Sequence, residues 1–133
     1  MIFQSAAGKH KKQFKGRLKL KSEASNLISF GAYGLKANSS ARIDAHQTEA
    51  ARKAIMKYVK RIGKLWIRVL SCYASSEKPT EVRTGEGKAE VSEWVFRVNP
   101  VESCLKLRPF PRAAAFKLSI ETSFVSVMQK PSC

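Results

Sequence analysis

Acidic residues are in short supply: 10 Asp and Glu stand against 25 Lys and Arg, leaving a formal charge of +15 on 133 residues. No two carboxylates share an obviously apolar setting that would split their pKa values, which argues against paired acid–base catalysis. Small soluble domains need a charge of only about 2 to 8, so this excess calls for a polyanion, either nucleic acid or an anionic membrane. Long apolar runs are missing, and nothing approaches the ~18 residues of a membrane span. The three cysteines, Cys72, Cys104 and Cys133, are odd in number, far apart and without a CxxC pair. That excludes a disulfide scaffold and predicts free thiols in a reducing compartment. His10 and His46 have no Cys or His neighbours at metal-ligand spacing, so no metal site, cofactor or catalytic residue is expected. Repeats and low-complexity blocks are absent. What is present is 44% hydrophobic residues, enough for one domain with a core and too many for a disordered basic tail.

Residues 1–21 carry Lys9, Lys11, Lys12, Lys15, Arg17, Lys19 and Lys21 without an acid. A solvated tail or an organelle transit peptide has this composition too. Phe14 and Leu18 interleave with the cations, as in an arm laid along RNA, and the negative backbone of a nucleic acid is expected to be what orders it.

Residues 27–37 mix β-formers with Gly31 and Gly34 and read as a strand with a bulge or close backbone approach. Asn38, Ser39 and Ser40 make a turn. Asp44 then reads as a helix N-cap with Gln47 in the capping-box position, and Glu49 suits the positive end of the helix dipole. A helix is predicted over 45–62, its apolar stripe formed by Thr48, Ala51, Ile55, Val59 and Ile62, with Gly63 as the residue that ends it. Lys53, Lys57, Lys60 and Lys64 fall on the opposite side, flanked by Arg52 and Arg61. A solvated helix face usually mixes signs; six cations and no anion over 52–64 favour a face turned to phosphates.

Further strands are expected at 65–70, 91–98 and 120–128, with a polar loop at 72–80 and a glycine loop at 84–89 joining the first two. Asn99-Pro100 breaks the chain, Pro109 and Pro111 bracket Phe110 in a loop, and 112–116 reads as a short Ala-rich helix. Trp66 and Trp94 sit at strand positions and read as core sooner than as base-stacking platforms. Gly85-Glu86-Gly87-Lys88 is not a phosphate loop, since Val82 and Ala89 stand where that motif needs Gly and Ser or Thr.

Several segments in order resemble one family: Lys15-Gly16-Arg17; Phe30-Gly31-Ala32-Tyr33-Gly34-Leu35-Lys36-Ala37; Gln47-Thr48-Glu49-Ala50-Ala51-Arg52-Lys53-Ala54; and Lys60-Arg61-Ile62-Gly63-Lys64-Leu65-Trp66-Ile67-Arg68-Val69. Glu77-Lys78-Pro79, the stretch Glu81-Val82-Arg83-Thr84-Gly85-Glu86-Gly87-Lys88 and Trp94-Val95 come after these. Together they resemble the bacterial-type large-subunit ribosomal protein sixteen family (L16p/L10e), over about residues 12–125. The resemblance implies a compact α+β domain, α/β-hammerhead-like, with an extended basic arm: arm 1–22, domain 23–128, tail 129–133.

It also implies a structural constituent of the large ribosomal subunit, in contact with large-subunit ribosomal RNA and neighbouring ribosomal proteins, and touching aminoacyl-site tRNA transiently near the peptidyl-transferase centre. The residues this points to for ribosomal RNA are Lys9, Lys11, Lys12, Lys15, Arg17, Lys19, Lys36, Arg42, Arg52, Lys53, Lys57, Lys60, Arg61 and Lys64. The tRNA-site loop carries over as Arg83, Thr84, Gly85, Glu86, Gly87 and Lys88. The family loop has a cation where Glu86 stands and Gly where Ala89 stands, and its Leu-Pro-Ile-Lys-Thr is here Leu118-Ser119-Ile120-Glu121-Thr122. The segment 100–116 is shorter than the family's and lacks most of its second helix. Glu86 is expected to draw the loop back from phosphates, with Arg83 and Lys88 near enough to pair with it. Such divergence points to an organelle ribosome, mitochondrial before plastid, with bacterial cytoplasm as the alternative; the match begins close to Met1, which favours synthesis inside the organelle over import.

Two other classes fit the composition. One is a basic RNA-binding protein outside the ribosome, such as a processing or translational factor. A membrane-surface module would turn the apolar stripe to lipid and leave the domain without its best core element, so no membrane partner is expected.

Overall fold

The computed structural model describes residues 12–18, 28, 30–60, 62–100, 103–107 and 112–126. Its elements are β1 (Tyr33–Ala37), β2 (Ala41–Asp44), α1 (Ala45–Tyr58), β3 (Trp66–Ile67), β4 (Tyr73–Ser76), β5 (Val91–Val98), β6 (Ser103–Leu107), a 3₁₀ helix (Arg112–Lys117) and β7 (Thr122–Ser126). Two antiparallel sheets result, ordered β3-β6-β1-β7 and β2-β5-β4. This is the α+β architecture expected.

Period-2 burial along β1 puts Leu35 and Ala37 into the core, and β2 adds Ile43. They meet Ala51, Ile55 and Val59 of the helical stripe, together with Val69, Val98, Ala114 and Ile120. The 3₁₀ helix brings Ala114 against α1. The pairing of β1 with β6 slips between Leu35, opposite Leu105, and Lys36, opposite Ser103, so the extra residue belongs to β6 and not to the glycine-bearing strand where a bulge was expected.

α1 starts where its cap signal put it: Asp44 has extended backbone (ψ 156) at the N-cap. The capping box is not made, however. The Asp44 side chain makes no bond to a helix N–H; it accepts from Gln47 Nε2 at 3.4 Å, while Thr48 Oγ1 donates to the Asp44 carbonyl at 3.2 Å. Glu49 lies beyond the first turn, so its partner is a side chain and not the helix dipole.

At the other end the expectation of a helix to residue 62 is corrected. The helix stops at Tyr58, Val59 caps it, and Lys60 takes the left-handed conformation (φ 50) expected of Gly63. The reason is burial. Val59 is the last stripe residue with core to cover it, and Ile62 is 90% exposed. One more turn of helix would have ordered Ile62 against nothing.

Three strands differ from expectation by addition. β2 runs directly into the N-cap, β4 is the polar segment Tyr73–Ser76 inside the supposed loop, and β6 lies in the Pro-flanked stretch after Pro100. Each is short, and sheet pairing outweighs its weak propensity. The strand expected at 65–70 shrinks to Trp66–Ile67, because the chain leaves the sheet edge to bury Val69 while Leu70 stays exposed. The strand expected from 27 starts at Tyr33. The closing strand is Thr122–Ser126; the loop of Pro109 and Pro111 and the positions Val127 and Met128 lie outside the described residues. Neither Trp66 nor Trp94 belongs to the buried core; both are half-buried.

Candidate nucleic-acid interface

Two groups of cations emerge. The first is the C-terminal end of α1 with the turn after it. Lys53 and Lys57 are exposed on the helix, and Lys60 and Lys64 are exposed beyond its end. One groove is lined by Arg52, Lys53, Met56, Lys57 and Lys60; a second, sharing Arg52 and Met56, continues through Gly63, Lys64, Leu65 and Ile67. Neither lining contains an acid. Arg52 is set apart from this row: its Nε donates to Glu49 Oε2 at 2.9 Å and its Nη2 to Glu49 Oε1 at 2.7 Å. Those charge-assisted bonds hold the Glu49 carboxyl at about pKa 2, against the opposing push of burial.

The second group joins residues 12–18, the sheet β2-β5-β4 and the glycine loop between β4 and β5. Arg42 Nη2 donates to the carbonyls of Lys15 (3.1 Å) and Gly16 (2.9 Å), and Arg97 Nη2 donates to that of Phe14 (2.7 Å). Lys12 Nζ donates to the Lys88 carbonyl at 2.9 Å, and Lys88 Nζ donates in return to the Gln13 carbonyl. Lys88 also lies 5.8 Å from the Phe14 ring centroid.

Arg42 and Arg97 are cross-strand partners, a like-charge pairing that sheets disfavour. The arm's three carbonyls bring negative dipoles to this spot, and Arg97 also stacks 4.1 Å over the Tyr73 ring. Gly16 makes the close approach possible. Its φ is +62, and a Cβ there would meet Arg97 Nη1 at 3.2 Å. Protein groups therefore tie the backbone of the described part of the arm to the sheet. Its backbone faces the sheet, and Lys15 and Arg17 are exposed.

The glycine loop joins β4 to β5, and 83–88 is exposed throughout. Gly85 and Gly87 have open space around them, so backbone shape and not crowding requires glycine there (φ 153 and 74). Glu86 itself is left-handed at φ 50. Its expected pairing with Arg83 or Lys88 is absent among the described residues, because Lys88 reaches the arm instead. Lys78 Nζ donates to the Gly85 carbonyl and braces the loop from inside.

Lys36 stands half-buried on β1. Lys9, Lys11, Lys19 and Arg61 lie outside the described residues. Sequence reasoning did not single out Arg97 or Lys78. Arg97 is the lone cation in an otherwise apolar and acidic strand, a signal that was there to be used; Lys78 carried none. Among the described residues no His, Cys, Asp and Glu cluster could hold a metal, and no helix is long and apolar enough to cross a membrane.

Exposed rows of cations on a small α+β scaffold are the arrangement that structural proteins of the polyanion-binding class present. The family described as ribosomal protein L16p/L10e matches residues 6–125. The chain is 43% identical to large ribosomal subunit protein uL16 of Bartonella bacilliformis, over 93% of this chain and 96% of that protein. It is 41% identical to that of Erythrobacter litoralis (94% and 92%) and 39% identical to that of Rhizobium etli (93% and 96%). The chain belongs to the ribosomal protein L16p/L10e family. It is a structural constituent of the large ribosomal subunit.

Proposed function

We propose that this protein holds large-subunit ribosomal RNA through two surfaces, the cationic end of α1 and the outward face of the arm, and carries the loop 83–88 toward aminoacyl-site tRNA. The observation that supports this best is the run Lys53, Lys57, Lys60 and Lys64, exposed along grooves without an acid. Lys and Arg neutralise converging phosphates, and the core fixes where they sit. RNA held this way is read by shape and backbone. The role is positional, with no reaction catalysed by the chain.

Within this reading the arm braces the loop: Lys12 donates to the Lys88 carbonyl and Lys88 to the Gln13 carbonyl, so the loop is presented on a prepared base. Glu86, exposed at its tip, weakens any contact with tRNA phosphate. The division into arm 1–22, domain 23–128 and tail 129–133 belongs to the same proposal, as do contacts with neighbouring ribosomal proteins. The departures at Glu86, Ala89, Ser119 and Glu121 favour a mitochondrial ribosome as the place of work, although the Bartonella, Erythrobacter and Rhizobium relatives are bacterial.

Replacing Lys53 and Lys57 by Glu tests the central point. Both side chains stand in solvent, so the isolated protein should keep its thermal unfolding midpoint while its incorporation into reconstituted large subunits is lost. Normal incorporation of a folded double variant would overturn the assignment of this surface.

A further inference from the structure

Phe14 is a large apolar side chain left 94% exposed. Its backbone, by contrast, is held at every step. The successive carbonyls of residues 13–16 all accept hydrogen bonds from the folded domain: Gln13 from Lys88, Phe14 from Arg97, Lys15 and Gly16 from Arg42. Gly16, at φ +62, bends the chain close against Arg97. A segment pinned at consecutive carbonyls cannot turn over to bury the ring, so the fold itself keeps Phe14 in water. One face of the ring carries Lys88 Nζ, 5.8 Å from the centroid. Lys12, Lys15 and Arg17 stand exposed before and after Phe14 in the chain. The crevice that Phe14 lines with Arg42, Tyr73 and Arg97 contains no acid.

A packing role does not account for this ring, because a side chain so exposed covers almost nothing. A solvated tail does not account for it either, since its backbone would bond to water and not to three side chains of the domain. A ring presented on a fixed backbone, with cations close by, is what an unstacked nucleobase needs. The base gains a π-face, the phosphates on either side of it gain charge, and the platform is ordered before the RNA arrives. Lys88 supports one face and leaves the opposite face for the base. Paired bases cannot use it in the same way, because they are already stacked on one another.

We propose that Phe14, backed by Lys88, is a stacking platform for one unpaired base of RNA, whose backbone runs along Lys15 and Arg17. This rests on the reading of the arm's outward face as a ribosomal RNA surface and adds the form of RNA it takes, a loop or flipped-out nucleotide.

The test uses the full chain carrying Lys53→Glu and Lys57→Glu, which silences the α1 surface so that binding reports the arm. This parent is titrated with oligoadenylate and with an abasic oligoribonucleotide of the same length, which has the phosphates and no bases. Oligoadenylate should bind the tighter. Phe14→Leu removes the ring from a position in solvent, where the fold does not depend on it. It should weaken oligoadenylate binding at least about fivefold and leave the abasic strand unchanged. The salt dependence of oligoadenylate binding should keep its slope, since no phosphate contact is lost. Phe14→Tyr should bind as the parent does, because a stacking ring remains. Unchanged oligoadenylate affinity in Phe14→Leu, with salt-sensitive binding intact, overturns the platform alone; if that variant also drops out of reconstituted large subunits, the ring docks on a protein instead. An equal loss on both strands overturns it too, because the change then lies in the arm's cations. If the parent binds neither strand, the arm fails as a phosphate surface and the platform falls with it.

Discussion

Glu49 is a carboxylate only 7% exposed, in a protein with few carboxylates to spare. Arg52 answers it with two hydrogen bonds and holds its pKa at about 2, well below that of an unfolded chain near 4.5. A depressed folded pKa stabilises the protein wherever the unfolded carboxyl is ionised. The contribution is therefore complete above about pH 5 and is lost as pH falls from there through about 2. Glu49→Gln should cost about 1.5 to 3 kcal/mol near neutral pH, the range for hydrogen bonds to charged groups. The gap between the two proteins in thermal unfolding should close as the pH approaches 2; a constant gap would mean that the pair acts through packing and not charge. Lys60 shows a different tension at one residue. Its left-handed φ of 50 disfavours any side chain, and glycine there should raise stability by about 0.5 to 1 kcal/mol. The same Lys60→Gly change removes an exposed cation from the groove, so RNA affinity should fall as the melting temperature rises. A variant that gained on both measures would remove Lys60 from the RNA surface.

At the scale of elements, the arm and the glycine loop are bound to one another more than either is to itself. Arg97 touches the arm at the Phe14 carbonyl, and Gln13, the neighbouring residue, accepts from Lys88 at the base of the loop. Arg97→Met should therefore loosen a loop it does not contact, and tryptic cleavage after Arg83 should speed up several-fold in the free protein. Unchanged cleavage at Arg83 would show that arm and loop move independently. None of this coupling was visible in the sequence, because Arg97 and Phe14 lie 83 positions apart and the acceptors are carbonyls, which every residue has. What could be read was local. Asp44 marked the start of α1, the stripe from Thr48 to Val59 marked its buried face, and the run 91–98 with Trp94 and Phe96 marked β5. The end of α1 could not be read, since Ile62 continues the helical period and only the lack of core beyond Val59 stops it. β4 escaped for a related reason: Tyr-Ala-Ser-Ser has little intrinsic preference for a strand, and pairing with β5 makes it one. The lysine row was legible as a row of charges, whereas the loss of Arg52 to Glu49 needed three-dimensional geometry.

Across the whole molecule the charge of +15 must be answered by a partner. The ion pair that engages Arg52 is local, and carbonyls that accept from Arg42, Arg97, Lys12 and Lys88 are dipoles that leave each net charge in place. The cations are therefore of two kinds. On the proposed reading, those bonded to carbonyls add to the field that draws RNA in, and exposed cations without such a bond, among them Lys15, Arg17, Lys53, Lys57, Lys60 and Lys64, displace counter-ions at phosphates. With further lysines in the arm, about eight phosphates should be neutralised, and the logarithm of the binding constant for ribosomal RNA should fall against the logarithm of salt with a slope of about −7. Each exposed lysine that touches a phosphate should account for about one unit of that slope. Neutral Lys53→Gln and Lys57→Gln together should flatten it by about two, while Arg42→Gln should change it less and instead loosen the arm. A slope near −1 would mean that few phosphates are engaged. An equal change for the lysine and Arg42 variants would mean that counter-ion release does not separate the exposed cations from those spent on the arm.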